Sequence, residues 1–188
     1  MKKIFFIVFL FLNQSQNIFS QEFKLQEAIN GLNSPWSLSF ISNDRVIATE
    51  KSGNLMLIDF NINEIKKIKH NLNILEDGQG GLLEVLYFKN QVFVSYSEDL
   101  KKGYSTTSVA KANFNENELN FQNIFRAEPP INSGYHFGSR LVIKDNLLYI
   151  TAGERGKGMI AQDPLKHPGS IIRVHLDGEI PKDNPKFI

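Results

Sequence analysis

The sequence predicts an all-β chain, and among all-β architectures a β-propeller of four-stranded blades. Three observations carry that expectation. Past residue 21, short runs rich in Val, Ile, Leu, Phe and Tyr are broken by turn-forming Asn, Asp, Gly and Ser, the pattern of strands and tight links. The runs fall into groups of four, and the first strands of successive groups, marked by Trp36, Leu82 and Leu141, recur at intervals of roughly 45 to 60 residues, a blade-like period. No long amphipathic helix interrupts them. A β-sandwich also uses many short strands; the repeated unit favours the propeller.

The elements follow in order. WSLSFI (36–41) and RVIATE (45–50) flank the turn triplet Ser42-Asn43-Asp44, NLMLIDF (54–60) follows Ser52-Gly53, and EIKKIKH (64–70) closes the first group. Charged and apolar residues alternate in that last run, as on a solvated strand face. In the second group LLEVLYF (82–88) and QVFVSYS (91–97) join at Lys89-Asn90, and STTSVAKANF (105–114) and LNFQNIFRA (119–127) join through NENE. The third holds RLVI (140–143), LLYITAG (147–153) and SIIRVHL (170–176), the last ending at the Asp177-Gly178 turn. About three blades are too few to close a ring of four to eight, and an open ring leaves sheet edges unpaired. The expectation is the N-terminal part of a longer propeller; a truncated gene and a ring-completing dimer are the alternatives.

Ahead of the strands, Lys2 and Lys3 precede IFFIVFLFL (4–12), and Ile18-Phe19-Ser20 stands before Gln21. A basic start, a short apolar run and a small residue at the cut describe a Sec-type signal peptide over residues 1–20. The run is short for a transmembrane helix. Residues 21–188 would then be a mature periplasmic or secreted chain with no transmembrane domain. Basic and acidic residues number 21 and 20, which leaves no charged stripe for nucleic acid. Cysteine is absent, so disulfides, thiolate metal sites and a cysteine nucleophile are excluded.

Four segments could carry chemistry. EDGQGGLLEV (76–85) reads either as a turn between blades or as a backbone that approaches a ligand, with the Gln79 amide directed inward. SGYHFGSRLVI (133–143) puts His136 between Gly134 and Gly138 in a loop that feeds the first strand of a group. A lone histidine is commonly structural. At the mouth of a propeller channel, a neutral imidazole could instead serve as a general base. Arg140 reads as a blade-packing or tethering residue. TAGERGKGMIAQDP (151–164), with Glu154 and Arg155, matches neither a P-loop nor a dinucleotide fingerprint and reads as a long polar loop of the kind that is often functional. LDGEIPKDNP (176–185) carries Asp177, Glu179 and Asp183 without EF-hand spacing, and His70, His167 and His175 lack metal-ligand spacing. These residues define no metal site.

In this order, PWSLSFI…RVIATEKSGNLMLI, GQGGLLEV, YHFGSRLVI…LYITAGERG and AQDPLKHPGSIIRVHLDGEIPKDNP resemble the glucose/sorbosone dehydrogenase family, in particular its soluble aldose sugar dehydrogenases. The resemblance covers most of residues 32–185, roughly the N-terminal half of such an enzyme. It implies a six-bladed periplasmic propeller that uses pyrroloquinoline quinone (PQQ) with calcium to oxidise an aldose at its anomeric carbon to a lactone. Electrons would pass to an external acceptor that the sequence does not name. The family's catalytic histidine falls on His136. Gln79 falls on a position lining the cofactor, and Glu154 on an acidic or amide position near the site. One branch of the family has an acidic residue just before the histidine; here it is Tyr135, so sugar contacts differ. Met159 takes no role. The residues that clamp the quinone and hold calcium would lie downstream. A non-catalytic propeller that binds sugars or proteins, and an inactive fragment, are the competing readings.

Overall fold

A computed structural model describes residues 23–186; the signal peptide expected at 1–20 lies outside the described residues. Three antiparallel sheets follow one another along the chain. The first contains β1 (Pro35–Phe40), β2 (Arg45–Glu50), β3 (Leu55–Asp59) and β4 (Glu64–His70), hydrogen-bonded in chain order. The second contains β5 (Leu82–Phe88), β6 (Gln91–Asp99) and β7 (Ser105–Asn113). After β7 the short β8 (Glu118–Leu119) leaves the sheet, and β9 (Gln122–Arg126) returns as its fourth strand. The third contains β10 (Gly138–Lys144), β11 (Leu147–Ala152) and β12 (Ile171–His175). β1 packs beside β5, and β5 beside β10, as inner strands do around a propeller axis. Among the described residues the ring is not closed: they form part of a β-propeller.

The middle sheet is covered on both faces, and strand periodicity divides its side chains between them. Val92, Val94 and Tyr96 of β6 join Ile47, Leu55 and Ile68 of the first sheet in one apolar cluster. Phe93, between them in sequence, points the other way and packs with Leu141, Leu148, Ile150 and Val174 of the third. Each fully buried side chain of this size stabilises the fold by roughly 1.5–3 kcal/mol. The outward face of the first sheet is partly covered, with Val46, Ala48 and Ile58 buried beneath Ile29 and Leu32, while Leu38 and Phe40 at its inner edge, and Val142 and Ile171 on the third sheet, stay exposed.

One polar device recurs in each sheet. The fifth residue of the second strand is a hydroxyl: Thr49, Ser95 and Thr151. Each accepts the backbone N–H of the third residue of the inner strand, from Ser37 (3.1 Å), Glu84 (3.1 Å) and Arg140 (2.9 Å). The ladder is irregular at each of these points, so the hydroxyl supplies the bond that the bulge removes. Thr49 and Ser95 then donate to the next sheet's inner strand, at the Leu83 (2.6 Å) and Ser139 (2.5 Å) carbonyls.

Two expectations need correction. The run 119–127 is not one strand. Glu118–Leu119 pairs in parallel with β4 of the first sheet, while Gln122–Arg126 pairs with β7. Asn71 causes the break: its side chain accepts the Phe121 N–H at 2.8 Å and donates to the Phe121 carbonyl at 3.1 Å. With Leu119 and Phe121 buried, this clip stitches the outer edges of two sheets together. The loop after β11 also contains a short 3-10 helix, Gly158–Gln162.

Candidate functional site

The site is built where the chain runs into the inner strands β5 and β10. The loop ahead of β10 is fixed by Phe137, whose ring is buried and whose carbonyl accepts from Thr107 Oγ1 at 2.7 Å. His136 precedes it in left-handed backbone, φ 49°. That conformation is uncommon for a residue with a side chain and persists only where neighbours enforce it. It also leaves the imidazole about half exposed (52%).

The loop ahead of β5 lies against this one. Gln79 donates its backbone N–H to the Gly134 carbonyl at 2.7 Å, and its side-chain Oε1 accepts the His136 backbone N–H at 2.8 Å. The approach needs Gly78, because a Cβ there would overlap the Gly134 carbonyl. Lys51, just past β2, donates from Nζ to the Gly78 carbonyl at 2.6 Å. All three sheets therefore contribute to one rim.

The loop after β11 closes the third side. Gly153 donates to the Phe137 carbonyl at 3.0 Å. Glu154 places its carboxylate on His136 Nδ1 and also accepts the Gly156 N–H at 3.1 Å. The hydrogen bond from His136 is the main cause that holds the Glu154 carboxyl below its ordinary range. An ionised carboxylate only accepts, so Nδ1 carries the hydrogen. In the neutral ring, Nε2 is then the nitrogen able to take a proton.

The structure thus brings His136, Gln79 and Glu154 into direct contact. Arg140 has the tethering geometry expected of it: it pairs with Glu84 of β5, which also accepts from Ser37 of β1 at 3.1 Å, so three inner strands share one carboxylate. The other polar motifs do not converge on the site. Asp183 pairs with Arg173 at 2.6 Å. His70 Nε2 meets the Gly53 carbonyl at 2.7 Å, and His167 Nδ1 accepts the Glu128 N–H at 2.9 Å. Among the described residues no three His, Cys, Asp or Glu side chains are grouped to hold a metal ion. Sequence reasoning missed Lys51, Thr107 and Arg155 as builders of the rim. Thr107 was marked only by its place in a strand, Arg155 only by its place in a polar loop of the kind that is often functional, and Lys51 by no motif.

Fold and site together define a β-propeller with a polar, histidine-bearing site at the mouth of its inner strands. The glucose/sorbosone dehydrogenase family profile matches residues 32–187. The aldose sugar dehydrogenase YliI of Escherichia coli K12 is 31% identical over 164 residues, covering 82% of this chain and 44% of that protein. Quinoprotein glucose dehydrogenase B of Acinetobacter calcoaceticus is 26% identical over 211 residues, covering 89% and 42%. A glucose dehydrogenase crystal structure superposes with a TM-score of 0.80 at 31% identity, covering 85% of this chain and 49% of that one. The chain belongs to the glucose/sorbosone dehydrogenase family. It spans about half the length of the relatives it matches.

Proposed function

We propose that the protein oxidises aldose sugars at the anomeric carbon to lactones, with PQQ as cofactor and an external acceptor for the electrons. One observation carries the reading: a half-exposed imidazole whose Nδ1 is committed to a carboxylate and whose backbone is fixed by Gln79. That arrangement is suited to general base catalysis. In this proposal Nε2 of His136 takes the proton of the anomeric hydroxyl as the C1–H hydride departs. Glu154 keeps the ring in the required tautomer and stabilises the imidazolium that forms.

The donor chemistry of the rim fits an acceptor-rich quinone. Gln79 Oε1 is occupied by the His136 N–H; its amide N–H2 group is a donor and would help to hold an acceptor-rich quinone. Glu154, an anion already bound to His136, acts in this proposal through the base rather than on an anionic cofactor. When bound, PQQ supplies the two-electron acceptor for the hydride. The described residues supply no cluster of ligands for calcium, and no step is derived through it. Export to the periplasm or beyond rests on the basic, apolar leader at residues 2–12.

The test is reconstitution. Protein supplied with PQQ and calcium is expected to take up the quinone and to reduce a redox dye only when an aldose is added. Absence of both uptake and reduction would favour a sugar- or protein-binding propeller without catalysis.

A further inference from the structure

We propose that Arg155 is the positioning residue of this site, clamping the loop on both sides of His136 so that the imidazole meets Glu154 before any ligand arrives. The inference rests on the reading of His136 as the base.

Arg155 follows Glu154 directly, yet its side chain turns inward and the residue is only 2% exposed. Nε donates to the Tyr135 carbonyl at 2.9 Å, and Nη2 to the Ser133 carbonyl. Nη1 reaches the Ser105 carbonyl at 3.0 Å, and Nη2 the Ser105 hydroxyl at 2.9 Å, both at the start of β7. The guanidinium carbon sits 3.6 Å from the centre of the Phe137 ring, a cation–π contact. One side chain therefore grips residues 133, 135 and 137. Gln79 holds the remaining two positions, the Gly134 carbonyl and the His136 N–H. Every residue from 133 to 137 is held from outside the loop, which leaves the side chains of Tyr135 and His136 exposed and the imidazole in reach of Glu154.

Energetics argue that the charge serves position rather than stability. Among the described residues no carboxylate lies within ion-pair distance of this guanidinium. Burial pulls its pKa down to about 10, with Asp77 opposing. A buried cation without a counter-ion is costly, and an apolar side chain of similar size would fill the space at lower cost. What an apolar group cannot supply is a planar fork of donors that reaches two loop carbonyls and a strand at once. Lysine keeps the charge and loses the fork. Because Glu154 and Arg155 are consecutive, the clamp and the carboxylate that meets Nδ1 move as one piece.

The experiment follows the Glu154 carboxyl by carbon NMR through an acid titration of the 13C-glutamate-labelled protein. In the wild type Glu154 is expected to titrate below the ordinary glutamate range, and His136→Ala is expected to return it there. Arg155→Lys and Arg155→Gln are expected to shift it in the same direction. In the PQQ-supplied protein, dye reduction in these variants should fall by about 10²-fold with PQQ uptake retained. A folded Arg155 variant with the wild-type Glu154 titration would overturn the positioning role and leave the His136–Glu154 pair intact. An unchanged titration in His136→Ala would instead refute the pair, whatever Arg155 does. Arg155→Met loses every donor and is open to misfolding, so the lysine and glutamine variants decide.

Discussion

Gly153→Ala probes the contact on which the rim depends. The backbone φ of Gly153 lies outside the left-handed region, so alanine is sterically acceptable locally; the obstacle is space. A Cβ would lie 2.6 Å from the His136 carbonyl carbon and 3.1 Å from the Gly138 nitrogen, nearer still to the His136 oxygen, where ordinary contact begins at 3.4 Å. Both neighbours are backbone, with no flexible end to give way. Relief requires the two loops to separate by about 1 Å, on the scale at which misplacing a reacting group costs about 10²-fold in rate. The Gly153–Phe137 hydrogen bond at 3.0 Å would stretch in the same movement. Overpacking of this kind costs about 1–3 kcal/mol, or a fall of about 2–12 °C in Tm for a chain of this size. Thermal unfolding and aldose-dependent dye reduction measure the two effects. An alanine variant with unchanged Tm and unchanged rate would mean that the loops do not meet as described, and the geometry of the rim would be wrong.

Three further outcomes are expected. Phe93→Ala empties the fully buried cluster between the second and third sheets and should lower stability by about 3–5 kcal/mol in denaturant unfolding, whereas Leu165→Ala at an exposed position should change it by less than about 0.5 kcal/mol. Asn71→Ala removes both bonds to Phe121; a loss of about 1–3 kcal/mol and faster amide exchange at 118–121 are expected, and unaltered exchange would deny the clip. Glu154, Asp163 and Asp177 are held below their ordinary values of 4.5, 3.8 and 3.8, mainly by His136, Lys166 and the Glu179 N–H respectively. The folded state then binds fewer protons than the unfolded state across that window. The stability these groups lend is complete above the ordinary values and lost as pH falls through the folded ones. Tm should decline from pH 5 to pH 3, less steeply in Glu154→Gln.

Strand positions were legible because alternation and turn residues are local signals. The partition of β6, with Val92 and Val94 facing one sheet and Phe93 the other, follows from the same period of two. The break at Asn120-Phe121 was not legible: Asn71, fifty positions earlier, makes it, and nothing near residue 120 records that bond. Glycine-rich loops drew notice to His136 and Gln79, while the resemblance to the glucose/sorbosone dehydrogenase family singled out Glu154 and decided for His136 as the base. That Glu154 binds His136 is a fact of the turn after β11, which brings together residues eighteen positions apart. Arg155 was named only as part of a polar, glycine-punctuated loop, and only the folded loop shows five carbonyl, hydroxyl and ring contacts converging on it. The recurring hydroxyl at Thr49, Ser95 and Thr151 lay open in the sequence, but its meaning depends on the bulges it fills.

His136→Ala, compared with the wild type in the presence of PQQ, calcium and an aldose, bears most directly on the proposed chemistry. Removal of a general base is expected to lower the rate of dye reduction by about 10²–10⁴-fold, with the protein folded and quinone uptake retained. An equal rate in the two proteins, both folded and both loaded, would contradict the assignment of His136 as the base.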